Sequence, residues 1–297
     1  MKRRNQLLAL FCLGVFVALG VLYFRYWVVQ KPFGIVLFIG EGLAPDRLAA
    51  ARVFAASADT PLALDAMPNT ALLKNYSVDF ATPDSAAAAT AMATGIKINN
   101  RVGSSSAKGK SLTTLCELAR AAGRATGIVT DGRITDATAA AFYARRSPPN
   151  DPEALALELA ETAKIDVVAG GGSAEFLPQD KGGHRTNGRD LLLEMRRNGT
   201  EIARTKTDLE AIPAWRRPKV FGSFATAELP FTDEMEAQNA RPSLSEMVRR
   251  AIELLQYNRT GYLLIVDAAL MRKAAQENNG ERTLAERPVE RATEPAG

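Results

Sequence analysis

A chain of 297 residues, 46% hydrophobic and 24% charged, has enough apolar material for a full core and is not a wholly disordered protein. Its formal net charge is only +4, part of it in Lys2-Arg3-Arg4; this gives no ground for nucleic-acid binding, although a mildly basic surface suits an anionic ligand. Two cysteines, Cys12 in an apolar leader and Cys116 in a helix-like stretch, exclude a disulfide framework and a cysteine zinc site, and Cys116 reads as a small core residue.

Residues 1–32 come first. Leu7 to Phe24 carries no charge for about 18 residues and is followed by Arg25-Tyr26-Trp27, which predicts one transmembrane helix with aromatic and arginine anchors at its far end. A cleaved signal peptide is the alternative, but its apolar stretch usually runs about 7–15 residues and ends at a small-x-small site, poorly formed here. The uncleaved anchor is the preferred reading. Lys and Arg on its N-terminal side keep that end in the cytoplasm and place the rest on the extracytoplasmic, periplasmic side.

From Phe33 onward short apolar runs alternate with helical stretches, the pattern of an α/β domain with a largely parallel, buried sheet. Gly34 to Ile39 reads as the first strand, stopped by Gly40-Glu41-Gly42. Ala86 to Thr94 is an alanine-rich helix starting just after Pro83-Asp84-Ser85. A helix over Leu112 to Ala122 and a strand over Ala125 to Thr130 follow. Asp151 to Thr162 is helical and Ile165 to Ala169 a strand ending in three glycines. Lys219 to Phe224 and Tyr262 to Val266 read as strands around a helix over Ser243 to Gln256 with a Ser-x-x-Glu start. The domain is expected over 33–279, with 280–297 a polar, mobile tail. No internal repeat is visible.

In an open α/β sheet ligands sit beyond the carboxyl ends of the strands. Glu41, Asp136 with Thr138, and Asp267 each follow an expected strand, and oxygen donors from three strand ends suit one hard cation such as magnesium. Each taken alone is as well explained as a turn or helix-cap residue. Ser85 stands at a helix N-terminus, where amides and the helix dipole attract an anion; the plainer alternative is that Asp84 or Ser85 only caps the helix. The single histidine, His184, lies in Gly182-Gly183-His184-Arg185, which makes a Ser-His-Asp triad improbable.

These residues resemble a known family, the alkaline phosphatases, over roughly Phe33 to Asn279. Phe38-Ile39-Gly40-Glu41-Gly42 is similar to the family's strand-end Gly-Asp-Gly, and the long, specific run from Pro83-Asp84-Ser85 through Thr94-Gly95 resembles its nucleophile segment. Gly127-Ile128-Val129-Thr130 with Asp136-Ala137-Thr138 resembles its magnesium-ligand segment, and Asp166 to Gly172, Asn187 to Leu192, Pro242 to Met247 and Val266 to Asn279 complete the match. The resemblance implies a three-layer sandwich around a largely parallel sheet, a phosphomonoester as substrate, and hydrolysis through a phosphoserine with two zinc ions and one magnesium ion. It implies Ser85 as nucleophile, Glu41 as a bridging metal ligand, Asp136, Thr138 and Asp267 as magnesium ligands, and Asp84 and Arg146 beside the substrate.

The departures from that family are equally specific. Where its pattern has an aspartate and then a histidine as zinc ligands, Arg272 and Gln276 stand here, and an arginine cannot ligate a metal. The family's remaining zinc ligands come from its final third, beyond the matched stretch, and its phosphate-clamping arginine is matched only loosely by Arg145 and Arg146. Magnesium is therefore the expected metal, if any, and hydrolysis is expected to be impaired. Two alternatives are an active phosphomonoesterase with an unusual metal site or a second chain (a homodimer included), and an anion- or magnesium-binding relict.

Overall fold

The computed structural model describes residues 2–23, 33–55, 57, 59, 61–102, 111–145, 150–235 and 241–285. The chain divides into two units, Met1–Phe33 and Gly34–Gly297. The first is one helix, α1 (Lys2–Tyr23), whose stretch Arg3–Tyr23 is long and apolar enough to cross a membrane and is not buried at all. The same length and composition fit a signal sequence. The expected Arg25-Tyr26-Trp27 anchor lies outside the described residues.

Among the described residues the second unit is built on six strands: β1 (Gly34–Gly40), β2 (Ala125–Arg133), β3 (Val167–Gly171), β4 (Thr200–Ala203), β5 (Lys219–Ser223) and β6 (Tyr262–Ala268). They pair in parallel in the order β1-β6-β2-β3-β5-β4. The helices between them are α2 (Pro45–Ala55), α3 (Ser85–Thr94), α4 (Leu115–Ala121), α5 (Ala137–Ala140), α6 (Pro152–Glu161), α7 (Leu191–Arg197), α8 (Lys206–Ala211), α9 (Thr232–Met235) and α10 (Leu244–Leu255), and after β6 come α11 (Leu270–Gln276) and α12 (Gly280–Ala285).

Period-two alternation along the buried strands sends successive residues to opposite sides. Ile128, Val168, Phe221, Leu263 and Ile265 join Phe142, Leu155 and Leu191 in one core. Val129, Val167, Val220, Leu264 and Val266 join Met247, Leu254 and Leu270 in the other. Two cores on one sheet make the expected three-layer α/β sandwich, and each large apolar side chain fully buried in them contributes about 1.5–3 kcal/mol. Cys116 is one of the core residues, and burial pushes its thiol up to about 12.

Several boundaries differ from expectation for local reasons. α4 begins at Leu115, not Leu112, because Thr114 and Glu117 close a capping box, with the Thr114 amide donating to Glu117 Oε2 at 3.0 Å. Leu112 instead packs on Ala87 and Ile98. β2 runs on to Arg133 through a register shift against β3 between Val129 and Arg133, an irregularity of the kind common beside functional sites. Residues 280–285, expected to be mobile, form α12: Arg282 is 2.8 Å from both Asp233 and Glu234 and lies 4.5 Å from the Phe231 ring. Residues 286–297 lie outside the described residues.

Candidate functional site

β6 lies between β1 and β2 although it comes last of the strands in the chain, so the carboxyl ends of β1, β6 and β2 meet at a point where the strand order reverses. Register pairs Asp267 with Ile39 on one side and Thr130 on the other. The Glu41 amide continues the ladder by donating to Ala268 O at 3.2 Å, and Gly42, at φ +75°, turns the chain away in a conformation that favours glycine. Across the site a Cβ on Gly132 would come within 2.8 Å of Ala269 Cβ and 3.0 Å of Asp136 Oδ2, so a side chain there would displace the loop that carries Asp136.

The expected residues of the strand ends are thus brought together. Glu41, 8% exposed, accepts from the Thr138 hydroxyl on Oε1 and from Arg272 Nε on Oε2. Arg272 Nη1 donates to Gln276 Oε1 at 3.1 Å, one turn along α11. Asp267 is fully buried; its Oδ2 accepts from Thr130 Oγ1 at 3.0 Å, and its Oδ1 has no partner among the described residues. Asp136 accepts the Arg133 amide at 3.2 Å and shares a cavity of about 290 Å³ with Glu228, Arg272, Lys273 and Gln276.

These carboxylates are electrostatically strained. Burial pushes Asp267 well above the usual carboxylate range, and Glu41 and Asp131 push the same way while the Thr130 hydroxyl opposes them. Burial also raises Asp136, against the Arg133 amide and the charges of Arg272 and Arg133. Desolvation works against the charge on Arg272, but Glu41, with help from Asp136 and Asp267, keeps it more basic than a free arginine.

Ser85 is exposed at the first position of α3, a helix packed against α5, which carries Thr138. Asp84 is the N-cap: its Oδ1 accepts from the Ala87 amide at 2.8 Å and its Oδ2 from the Arg101 amide at 2.6 Å, while its own amide donates to Asn100 Oδ1 at 3.0 Å. The Asp84 carboxylate is therefore engaged by backbone, and the amides of Ser85 and Ala86 remain as donors at the helix end. The plainer reading of Asp84 as a cap holds, and it leaves Ser85 exposed beside those donors.

Arg146 lies outside the described residues. Arg145 is paired with Glu117 at 2.8 Å. His184 is a loop residue, as expected; its Nδ1 is 3.2 Å from Glu175 Oε2, at a second cavity of about 760 Å³ that includes Arg133, Glu153 and Arg185. Sequence reasoning missed Asp131, whose Oδ1 accepts from the amides of Ala269 at 2.6 Å and Leu270 at 3.1 Å, and Thr130, which it treated only as a strand end. A carboxylate directly after the expected strand end at Thr130 was the available signal.

The donor set does not fit the zinc pair that the resemblance implies. Both Glu41 oxygens are taken, Arg272 brings a fixed positive charge, and among the described residues no three His, Cys, Asp or Glu side chains come close enough to hold one ion. Thr138, expected to ligate magnesium, donates to Glu41.

With this geometry in place, comparison with known proteins is specific. The chain matches the alkaline phosphatase family over residues 34–296. It is 29% identical to the rat (Rattus norvegicus) tissue-nonspecific alkaline phosphatase isozyme over 300 residues, covering 85% of this chain and 57% of the relative. It is 30% identical to an alkaline phosphatase of Gadus morhua, covering 86% of this chain and 63% of that protein. Its structure superposes on the crystal structure of Thermus thermophilus alkaline phosphatase with a TM-score of 0.78 at 28% identity, covering 87% of this chain and 54% of the other. The chain thus spans little more than half the length of these relatives, and over that span it belongs to the alkaline phosphatase family.

Proposed function

We propose that this domain binds phosphate monoesters at the N-terminal end of α3, with Ser85 as the hydroxyl that attacks phosphorus, and that it turns them over slowly. The observation that carries this reading is Ser85 itself, exposed on a capped ten-residue helix whose first amides are available to an anion. Attack would form the Ser85 Oγ–P bond and break the ester P–O bond, the departing alcohol taking up a proton as the serine loses its own; water then cleaves the phosphoserine, restoring the hydroxyl and releasing phosphate. The one histidine does not serve the serine as a base, since His184 is paired with Glu175 in another loop. Several kcal/mol of metal activation are absent from this scheme, and at about 1.36 kcal/mol per tenfold that slows turnover by roughly 10³-fold or more. The apolar helix α1 is proposed to anchor the domain on the extracytoplasmic side; retention in the membrane pellet after alkaline carbonate extraction checks the anchor.

The full chain in detergent is assayed with an aryl phosphate, zinc and magnesium supplied, beside Ser85→Ala and Ser85→Pro. Proline is tolerated at the first helical position but removes an amide donor. Weak turnover lost in Ser85→Ala, with phosphate or vanadate binding lost in Ser85→Pro, is expected; no binding by the wild type overturns the reading. A second reading, an enzyme completed by a second copy of this chain, draws on β1. This strand lies at the sheet edge with Ile35 41% and Phe38 47% exposed, which is surface that strand pairing or packing covers. Activity per molecule that rises with protein concentration, alongside a dimer in the ultracentrifuge, would favour it.

A further inference from the structure

Several carboxylates at adjacent strand ends cannot be buried together without compensating positive charge or protons. Here Glu41, Asp131 and Asp267 are each less than a tenth exposed, with Asp136 beside them. The polypeptide supplies its own compensation. Asp131 is met by two amides, and Asp267 by the Thr130 hydroxyl. Glu41 is met by Arg272, whose side chain is one-third exposed and steadied on its other flank by Gln276. Arg272 sits at the start of α11, directly after β6, so its position is fixed by the same strand that carries Asp267.

We propose that the Arg272 guanidinium is the resident cation of this cluster, holding Glu41 against the end of β6 where other architectures of this kind would need a metal ion. A divalent ion approaching Glu41 meets a positive charge already bonded to it, and in a partly buried site that repulsion is only weakly screened. The slowness of turnover proposed above rests on this cation; phosphate binding at α3 does not, and either can fail without the other.

Thermal melting of the full chain in detergent tests this, with wild type, Glu41→Gln, Arg272→Met and the double variant each run in EDTA and in excess magnesium and zinc. The metal-dependent rise in Tm is expected to be the same in wild type and Glu41→Gln, because no ion binds at Glu41. A rise in wild type that Glu41→Gln abolishes overturns the proposal. Arg272→Met leaves Glu41 buried without its cation and is expected to lower Tm by about 3–8 °C. Adding Glu41→Gln should recover at least half of that fall, since the unpaired charge is then gone. If Arg272→Met alone is too unstable to purify, recovery of folded protein in the double variant is the same result; no fall, or no recovery, overturns the proposal.

Discussion

The strand-end cluster and the start of α3 are both polar sites in an alkaline phosphatase fold, yet they are satisfied in opposite ways. At the strand ends nearly every buried oxygen already has a partner from the chain: Glu41 from Thr138 and Arg272, Asp131 from two amides, Asp267 from Thr130. At α3 the cap residue Asp84 is fully engaged, but Ser85 is exposed and its neighbouring amides are donors without an acceptor in the helix. Under the proposed function, the difference separates polar groups that hold the fold from polar groups offered to a ligand. Substitutions should follow it, with stability effects large in the first region and small in the second.

The largest effect is expected at Asp131. Asp131→Ala removes the acceptor for the amides of Ala269 and Leu270, residues 2% and 3% exposed, and loses about 2–4 kcal/mol for orphaning buried donors. Asp131→Asn keeps a carbonyl oxygen in place and should lose less than half as much. Urea unfolding of both variants checks this, and equal losses would show that charge rather than hydrogen bonding matters there. Asp84→Ala comes next: it deprives the Ala87 amide of its cap and costs about 1 kcal/mol, while Asp84→Asn, also a good N-cap, costs little. A loss at Asp84 as large as at Asp131 would erase the contrast between the two regions.

Much of this arrangement was legible in the sequence. The strands announced themselves as apolar runs ending in glycine or a polar residue, and β6, with Asp267 after Leu263-Leu264-Ile265-Val266, is the clearest of them. Helix starts were legible through caps, as at Ser243 with Glu246. The short elements α7, β4 and α8 were not, because four to seven residues hold too few periods to stand out and depend on packing against β5 and α6 for their form. Strand-end positions of Glu41 and Asp267 could be read, since they depend only on where a strand stops. That Arg272 bonds Glu41 could not be read, since it joins residues 231 apart and requires the order β1-β6-β2 to be known. The family resemblance marked Arg272 as a departure; only the fold shows what the departure touches.

The smallest stability effect is expected at the residue on which the proposed function depends most. Ser85 is exposed at the first position of α3, and alanine is the better helix former, so Ser85→Ala should change unfolding free energy by no more than about 0.5 kcal/mol. Capping is done by Asp84, not by Ser85, so the helix cap is not lost with the hydroxyl. Unfolding of Ser85→Ala and Asp84→Ala in parallel makes the comparison within one helix turn. A loss at Ser85 exceeding that at Asp84 would mean that the hydroxyl is part of the fold and that its exposure is incidental. Near-neutral stability together with loss of phosphoryl capture would mean that a free hydroxyl has been kept at the open end of a helix whose structural work is done by the residue before it.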